Sequence, residues 1–295
     1  MYPRPFEYRA VTTVDEALRV LHEVEDGKVL AGGQSLLPLM KLRLASPGVL
    51  VDISGIPHLS YIRPLGENAV EIGSLTTHDM VAHSALLQER CPILPAAARG
   101  IADQQIRNRG TIGGSSCHAD PASDLPPTLL ALDAEFSIVG PKGSRTVPAK
   151  EFFVDLFETQ VQRDEILHHI QVPAPGSQWG WSYAKFNRRE GDYPIVGVAI
   201  LVRLDSHGRR LDEVRIGLAA VNPTPCRARA AESFLQGQEI SPAILREAAH
   251  RSAEGLHPGS DMHGSSQYRL DMVQVFVRRG LEEAVTRARR AGGNP

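Results

Sequence analysis

Two glycine turns constrain this chain more than any other feature. The first is Ala31-Gly32-Gly33-Gln34-Ser35. A short apolar run at 28–31 precedes it, and helical spacing through Leu36, Leu39, Met40 and Arg43 follows. That order reads as a buried strand, a turn and a helix. Glycine there lets backbone come close to a ligand, and free N–H groups at the helix start face an anion. The loop matches neither the Rossmann fingerprint nor the Walker phosphate loop, so alone it is as readily a plain strand-to-helix turn. The second is Arg109-Gly110-Thr111-Ile112-Gly113-Gly114-Ser115-Ser116, which has no helical period and reads as a loop. His118-Ala119-Asp120-Pro121-Ala122-Ser123-Asp124 comes just after it. Two diphosphate-sized backbone cradles in one domain suit a dinucleotide better than a single phosphate. Asp124 either accepts from a sugar or ribityl hydroxyl or caps the helix beginning at Leu125.

The surrounding pattern gives an α+β chain in two domains. Thr13 and Glu16 have capping-box spacing, and Val14, Leu18 and Leu21 recur at helical intervals. With a strand at 49–53, the first lobe (about 1–57) reads as a small parallel α/β unit. The second lobe (58–175) has hairpins within 60–75 and 135–147, helical patches at 77–87 and 93–101, and a closing strand at 166–172. These predict an antiparallel sheet flanked by helices. Pro173-Ala174-Pro175-Gly176-Ser177 is the expected linker. Strands near 183–187, 195–204 and 213–221, then helices near 227–235, 241–253 and 267–287, predict a C-terminal domain over 176–295 with a three-stranded antiparallel sheet and three helices.

Composition removes several function classes. With 32 basic and 34 acidic residues the formal charge is −2, which argues against a nucleic-acid partner. No apolar run reaches about 18 residues, so no membrane span is expected. The start from Met1 to Arg9 lacks the apolar core of a signal peptide, so a cytoplasmic address follows. Cys91, Cys117 and Cys226 are too few and too scattered for a four-cysteine cluster and read as small buried hydrophobes. Any iron–sulfur cluster the protein uses must sit on another chain. His78 and His83 do not share a helical face, and His168 and His169 are expected on opposite sides of a strand. No metal ligand set and no catalytic triad can be read. Arg278, Arg279, Arg287, Arg289 and Arg290 make the last helix basic, as a solvated face or a docking face for an acidic partner.

Four segments carry a resemblance. They are Ala31-Gly32-Gly33-Gln34-Ser35-Leu36-Leu37-Pro38-Leu39-Met40-Lys41-Leu42-Arg43, Ile106-Arg107-Asn108-Arg109-Gly110-Thr111-Ile112-Gly113-Gly114, Asp120-Pro121-Ala122-Ser123-Asp124-Leu125-Pro126, and Lys185-Phe186-Asn187-Arg188-Arg189-Glu190-Gly191-Asp192-Tyr193. Together they resemble the FAD-binding medium-subunit family of molybdenum hydroxylases, which includes the carbon monoxide dehydrogenase medium subunit and the xanthine dehydrogenase flavin domain. The resemblance implies FAD on this chain. Gly32, Gly33, Gln34 and Ser35, with flanking Ala31 and Leu36, would hold the diphosphate, and Thr111, Gly113, Gly114 and Ser115 would form its other wall. Ile101 and Ala102 would lie along the flavin, and Ile166 and Leu167 would bracket its ring. Asp124 would take a sugar or ribityl hydroxyl, Lys185 would contact the flavin, and Tyr193 would cover a ring face. An aromatic ring can stack on a flavin, and a nearby ammonium favours its reduced anion.

Ser115-Ser116-Cys117 departs from the asparagine-plus-apolar run common in the family, and Gln34 stands where some relatives have histidine. No cysteine-bearing insertion implies a four-iron cluster. The implied role is electron transfer within an oxidoreductase. A small partner would carry 2Fe-2S clusters and a large partner the molybdenum cofactor, in a dimer of heterotrimers. The rivals are a self-contained FAD-dependent oxidoreductase of the same flavin-binding fold, and a binding module that has lost flavin.

Overall fold

The computed structural model describes residues 2–176 and 178–292. Met1 of the N-terminal stretch, Ser177 of the expected linker and the last three positions of the C-terminal domain lie outside the described residues.

The first lobe contains β1 (Glu7–Ala10), α1 (Val14–Glu23), β2 (Gly27–Leu30), α2 (Leu36–Lys41) and β3 (Val49–Asp52). The sheet order is β1-β3-β2, with both pairings parallel. Thr13 caps α1 by accepting from the Glu16 amide, while Glu16 Oε2 accepts from the Thr12 amide at 3.0 Å rather than from the cap residue's own. Strand β1 was not expected. None of its residues is buried, so it carries no apolar alternation to read.

The second lobe opens with β4 (Ile62–Leu65) and β5 (Ala69–Gly73), then six short helices: α3 (His78–His83), α4 (Ala85–Arg90), α5 (Ile93–Arg99), α6 (Gln104–Arg107), α7 (Ile112–His118) and α8 (Leu125–Ala131). It continues with β6 (Glu135–Gly140), β7 (Gly143–Pro148), α9 (Ala149–Phe152), the small hairpin β8 (Phe153–Asp155) and β9 (Glu158–Thr159), and β10 (Ile166–Pro173). The antiparallel sheet has the order β4-β5-β10-β6-β7. Its core includes Phe136 stacked on Phe152, ring centroids 3.8 Å apart. The helical patch expected at 77–87 is two helices, because Ser84 stops α3 and caps α4 through the Leu87 amide.

Two expectations fail in this lobe. Residues 112–118 are helical, not loop. Thr111 caps that turn, and the close seat of Gly113 on Ser74, just after β5, outweighs the low helix propensity of two glycines. His168 and His169 do not point apart. A register shift between Leu167 and His169 bulges β10 and brings the two Nδ1 atoms to 2.9 Å. One of those nitrogens must therefore carry a hydrogen and the other accept it.

The C-terminal part holds β11 (Trp179–Phe186), β12 (Val196–Leu204), β13 (Leu211–Ala219) and a two-residue edge strand β14 (Cys226–Arg227), then α10 (Arg229–Leu235), α11 (Pro242–Arg251) and α12 (Ser266–Ala291). Strand β14 extends the expected three-stranded sheet to the order β11-β12-β13-β14. Helix α12 lies on β11 and β12, where Ser182 Oγ donates to the Gly280 carbonyl at 3.0 Å. Part of the basic face of α12 is used internally. Arg287 donates to the Trp181 carbonyl and stacks 3.7 Å over that indole. Leu201 and Ala199 of β12 join the core of the second lobe, and α8 packs on β12 and β13. The two parts therefore meet through buried apolar surface, which holds them in register. No described helix is long and apolar enough to cross a membrane.

Candidate functional site

A cavity of about 1790 Å³ opens where the two lobes and the C-terminal sheet meet. Drug-sized ligands occupy roughly 300–1,000 Å³, so this space admits a dinucleotide. Every residue that the resemblance assigns to the cofactor, from Ala31 to Tyr193, lines it.

The two glycine turns meet backbone to backbone. A Cβ on Gly32 would lie 2.0 Å from the Arg109 carbonyl oxygen, so no side chain fits there. Gly33 has φ +73°, the left-handed region where glycine is unstrained. The turns differ in what they offer. Among the described residues, the N–H groups of Gly33, Gln34, Ser35 and Leu36 have no protein partner. Those of Ile112 and Gly113 bond to the Thr76 and Ser74 carbonyls at 2.9 Å each, and that of Gly114 bonds to Thr111 Oγ1 at 3.0 Å. The Ser115 amide bonds to the Thr111 carbonyl. The expectation of two diphosphate-sized backbone cradles is corrected accordingly. The first turn presents a run of free donors fit for an anion, whereas the second presents a packed wall. Gly113 seats that wall, since a Cβ on it would lie 2.5 Å from Ser74 Cβ.

Strand β11 closes the cavity from the other side. Lys185 Nζ donates to the Gly100 carbonyl at 2.8 Å and to Asp124 Oδ2 at 2.9 Å, and Tyr183 donates its hydroxyl to Asp124 Oδ1 at 2.5 Å. Asp124 sits at the N-cap of α8, yet its side chain makes no capping bond. It is 5% exposed, and burial pushes its carboxyl up against the opposing pull of Lys185 and Tyr183. Burial and the Asp124 charge together hold the Tyr183 phenol well above its ordinary value. Lys185, with its side chain 10% exposed, is not a solvated lysine.

Tyr193 lies in the β11–β12 connection rather than on a strand, and it is 59% exposed. Lost hydration at its hydroxyl end, then the charges of Asp120 and Asp124, push its phenol up. The same connection touches the first domain at Gly191, where a Cβ would lie 2.9 Å from the Ala102 carbonyl oxygen. Ile101 and Ala102 form a tight turn, with Ala102 at φ +42°. Arg107 Nη1 holds it by donating to both carbonyls, at 2.8 Å and 3.0 Å. Ile166 and Leu167, 2% and 4% exposed, bring the start of β10 to the wall.

Sequence reasoning missed Ser74 and Tyr183, weighed His78 only as a metal ligand, and gave Arg107 no role of its own. Ser74 Oγ and His78 Nδ1 are buried on the cavity wall without a partner. Burial depresses the His78 imidazole to about 4, so it is neutral. Neither stands in a glycine-rich or charged motif, so only the fold could reveal them. The free amides of the first turn and these orphaned polar atoms fit a group that brings many acceptors and donors into an apolar cleft, as FAD does. Among the described residues, no three His, Cys, Asp or Glu side chains converge as a metal-ligand set. Burial raises the Cys91 and Cys117 thiols to about 12 and Cys226 to about 11, so none is a ready thiolate.

Two family models match the chain. The FAD binding domain in molybdopterin dehydrogenase matches residues 4–175, and the CO dehydrogenase flavoprotein C-terminal domain matches residues 181–284. The chain is 40% identical, over 97% of its length and 99% of the relative's, to the carbon monoxide dehydrogenase medium chain of Hydrogenophaga pseudoflava. It is also 40% identical to the 6-hydroxypseudooxynicotine dehydrogenase complex subunit alpha of Paenarthrobacter nicotinovorans, over 98% and 97% of the two chains. The solved carbon monoxide dehydrogenase of H. pseudoflava, in the form lacking the Mo-pyranopterin moiety, has a chain that superimposes with a TM-score of 0.95. It is 41% identical and covers 97% of this chain and 99% of its own.

Proposed function

The chain belongs to the FAD-binding medium-subunit family of molybdenum hydroxylases, and on that premise we propose that it is the electron-transfer subunit of a heteromeric oxidoreductase. One observation carries the reading. The free amides from Gly33 to Leu36 open into a dinucleotide-sized cavity that Asp124, Lys185 and Tyr193 complete from two domains. Residues 1–175 would form the FAD-binding domain and 176–295 the family's C-terminal domain. Matches to two family models, over residues 4–175 and 181–284, support that division.

The amides of Gly33, Gln34, Ser35 and Leu36 would bind the diphosphate as hydrogen-bond donors. The Thr111–Ser115 wall would exclude water from its other side. Ile101, Ala102, Ile166 and Leu167 would pack along the ring system, and Tyr193 would shield a face. Asp124 would accept from a polyol hydroxyl. Lys185 would place positive charge beside the ring and so favour the reduced anion. Bound FAD supplies a centre that takes electrons singly and delivers them in pairs. No residue here is assigned acid–base work on the substrate.

Electrons would come from 2Fe-2S clusters on a small subunit, after substrate chemistry at a molybdenum cofactor on a large one, and leave to an external acceptor. Two copies of each chain would make a dimer of heterotrimers in the cytoplasm. Relatives named for carbon monoxide and for 6-hydroxypseudooxynicotine are equally similar to this chain. That similarity supports placing substrate identity on the large subunit. Purification of the native complex with flavin, iron and molybdenum analysis tests the proposal. A homomeric yellow protein without iron or molybdenum, and with full turnover, would replace it with the self-contained oxidoreductase.

A further inference from the structure

Asp124 is held in an unusual way for a helix-capping residue. It occupies the N-cap of α8 but leaves the cap bond unmade. It lines the cavity instead, and its two side-chain donors, Tyr183 and Lys185, both come from β11 of the C-terminal part. Residues two apart on a strand share a face, so one face of β11 aims both groups at the carboxylate. The phenol takes Oδ1 and the ammonium takes Oδ2. Each carboxylate oxygen still has a second lone-pair direction for a ligand hydroxyl.

Asp124 and Lys185 line the cavity, whereas Tyr183 does not. Whatever Tyr183 does for a ligand it does through Asp124. The ionisable side chains bearing on this carboxylate are Tyr183 and Lys185 of β11 and, at the cavity mouth, Tyr193, whose phenol feels both Asp124 and Asp120.

We propose that Tyr183 is a positioning residue for the cofactor: its phenol, crossing from the second domain, holds the Asp124 carboxylate charged and oriented to accept a polyol hydroxyl of FAD. The proposal rests on the reading of this cavity as the FAD site. The buried carboxylate has the charge and hydrogen bond of Lys185 and the hydrogen bond of Tyr183 to offset its desolvation. Removing the phenol should therefore let it protonate at higher pH. The link also makes cofactor affinity depend on domain apposition, because donor and acceptor belong to different domains.

The test uses the purified complex, stripped of FAD and retitrated with FAD across the whole pH range in which the complex stays folded. Wild-type affinity should fall on acidification as Asp124 protonates. Tyr183→Phe should shift the midpoint of that fall upward by about one pH unit. It should weaken binding about tenfold at the acid end and less than about twofold at the alkaline end, where the carboxylate is ionised in both proteins. Asp124→Asn should bind more weakly with no acid limb, and adding Tyr183→Phe to it should cost nothing further, because the phenol acts through the carboxylate. A Tyr183→Phe profile that is unchanged, or lowered by one factor at every pH as a simple domain tether would give, overturns the proposal. If that variant fails to assemble, an Asp124→Asn complex that keeps the wild-type acid limb overturns it, and a flat profile supports it. Wild-type complex that takes up no FAD at any pH would defeat the FAD reading itself, a result distinct from either.

Discussion

Lys185 Nζ lies 2.9 Å from Asp124 Oδ2 and 2.8 Å from the Gly100 carbonyl, so one ammonium of β11 ties two segments of the first domain to the second. Both side chains of the ion pair are at least nine-tenths buried. Such a pair is worth little against an apolar replacement, but losing one partner strands the other charge.

Lys185→Met should therefore destabilise the protein by about 3 kcal/mol in urea unfolding at pH 7. Combining it with Asp124→Asn should recover most of that loss, because no uncompensated charge is left. Equal stability of the single and double variants would contradict the ion-pair account.

Gly32→Val should separate the two glycine turns. The new Cβ would have to sit 2.0 Å from the Arg109 carbonyl oxygen, and backbone on both sides leaves no flexible group to yield. We expect a folded complex with FAD content reduced roughly tenfold or more, from the loss of close backbone approach. The absorbance ratio of flavin to protein measures it, and full occupancy would contradict the apposition of the turns.

His78 makes stability pH-dependent. Its folded-state value is depressed from 6.5 to about 4, so it stays neutral in the native state where the unfolded chain would protonate it. The unfolded state then binds more protons, and the contribution, complete above pH 6.5, is lost as pH falls toward 4. A depression of that size is worth about 3 kcal/mol. Urea midpoints at pH 7 and pH 4.5 should differ by less in His78→Gln than in wild type. Equal differences would remove His78 as the cause.

Tyr193→Ala should retain FAD but change its behaviour. The ring is 59% exposed at the cavity mouth and contributes little to the core, so stability should shift by less than about 0.5 kcal/mol. Loss of the ring should admit solvent, moving the flavin midpoint potential and its reactivity toward dioxygen. If neither moves, the tyrosine does not cover the flavin.

Much of the architecture was legible because its signals are local. The Thr13 cap, the strand–turn–helix around Gly32 and Gly33, the hairpins at 60–75 and 135–147 and the final helices each follow from spacing within about 15 residues. The glycine turns and Asp124 were legible as residue types suited to close backbone approach and to accepting a hydroxyl, whereas Lys185 was marked by the family resemblance alone. Tertiary structure decided how those pieces combine. Residues 112–118 became helical because Thr111 could cap them and Gly113 could rest on Ser74. That occupied the amides of Ile112 to Ser115, whereas among the described residues those from Gly33 to Leu36 keep no protein partner. The bulge at Leu167 turned two histidines toward each other against the period of a regular strand. The Tyr183–Asp124 bond joins residues 59 apart, and no local period reports a pairing at that distance. Sequence carries what neighbouring residues impose on one another. Which polar group meets which across a domain junction is settled by packing alone, because burial penalises every partner left unmade.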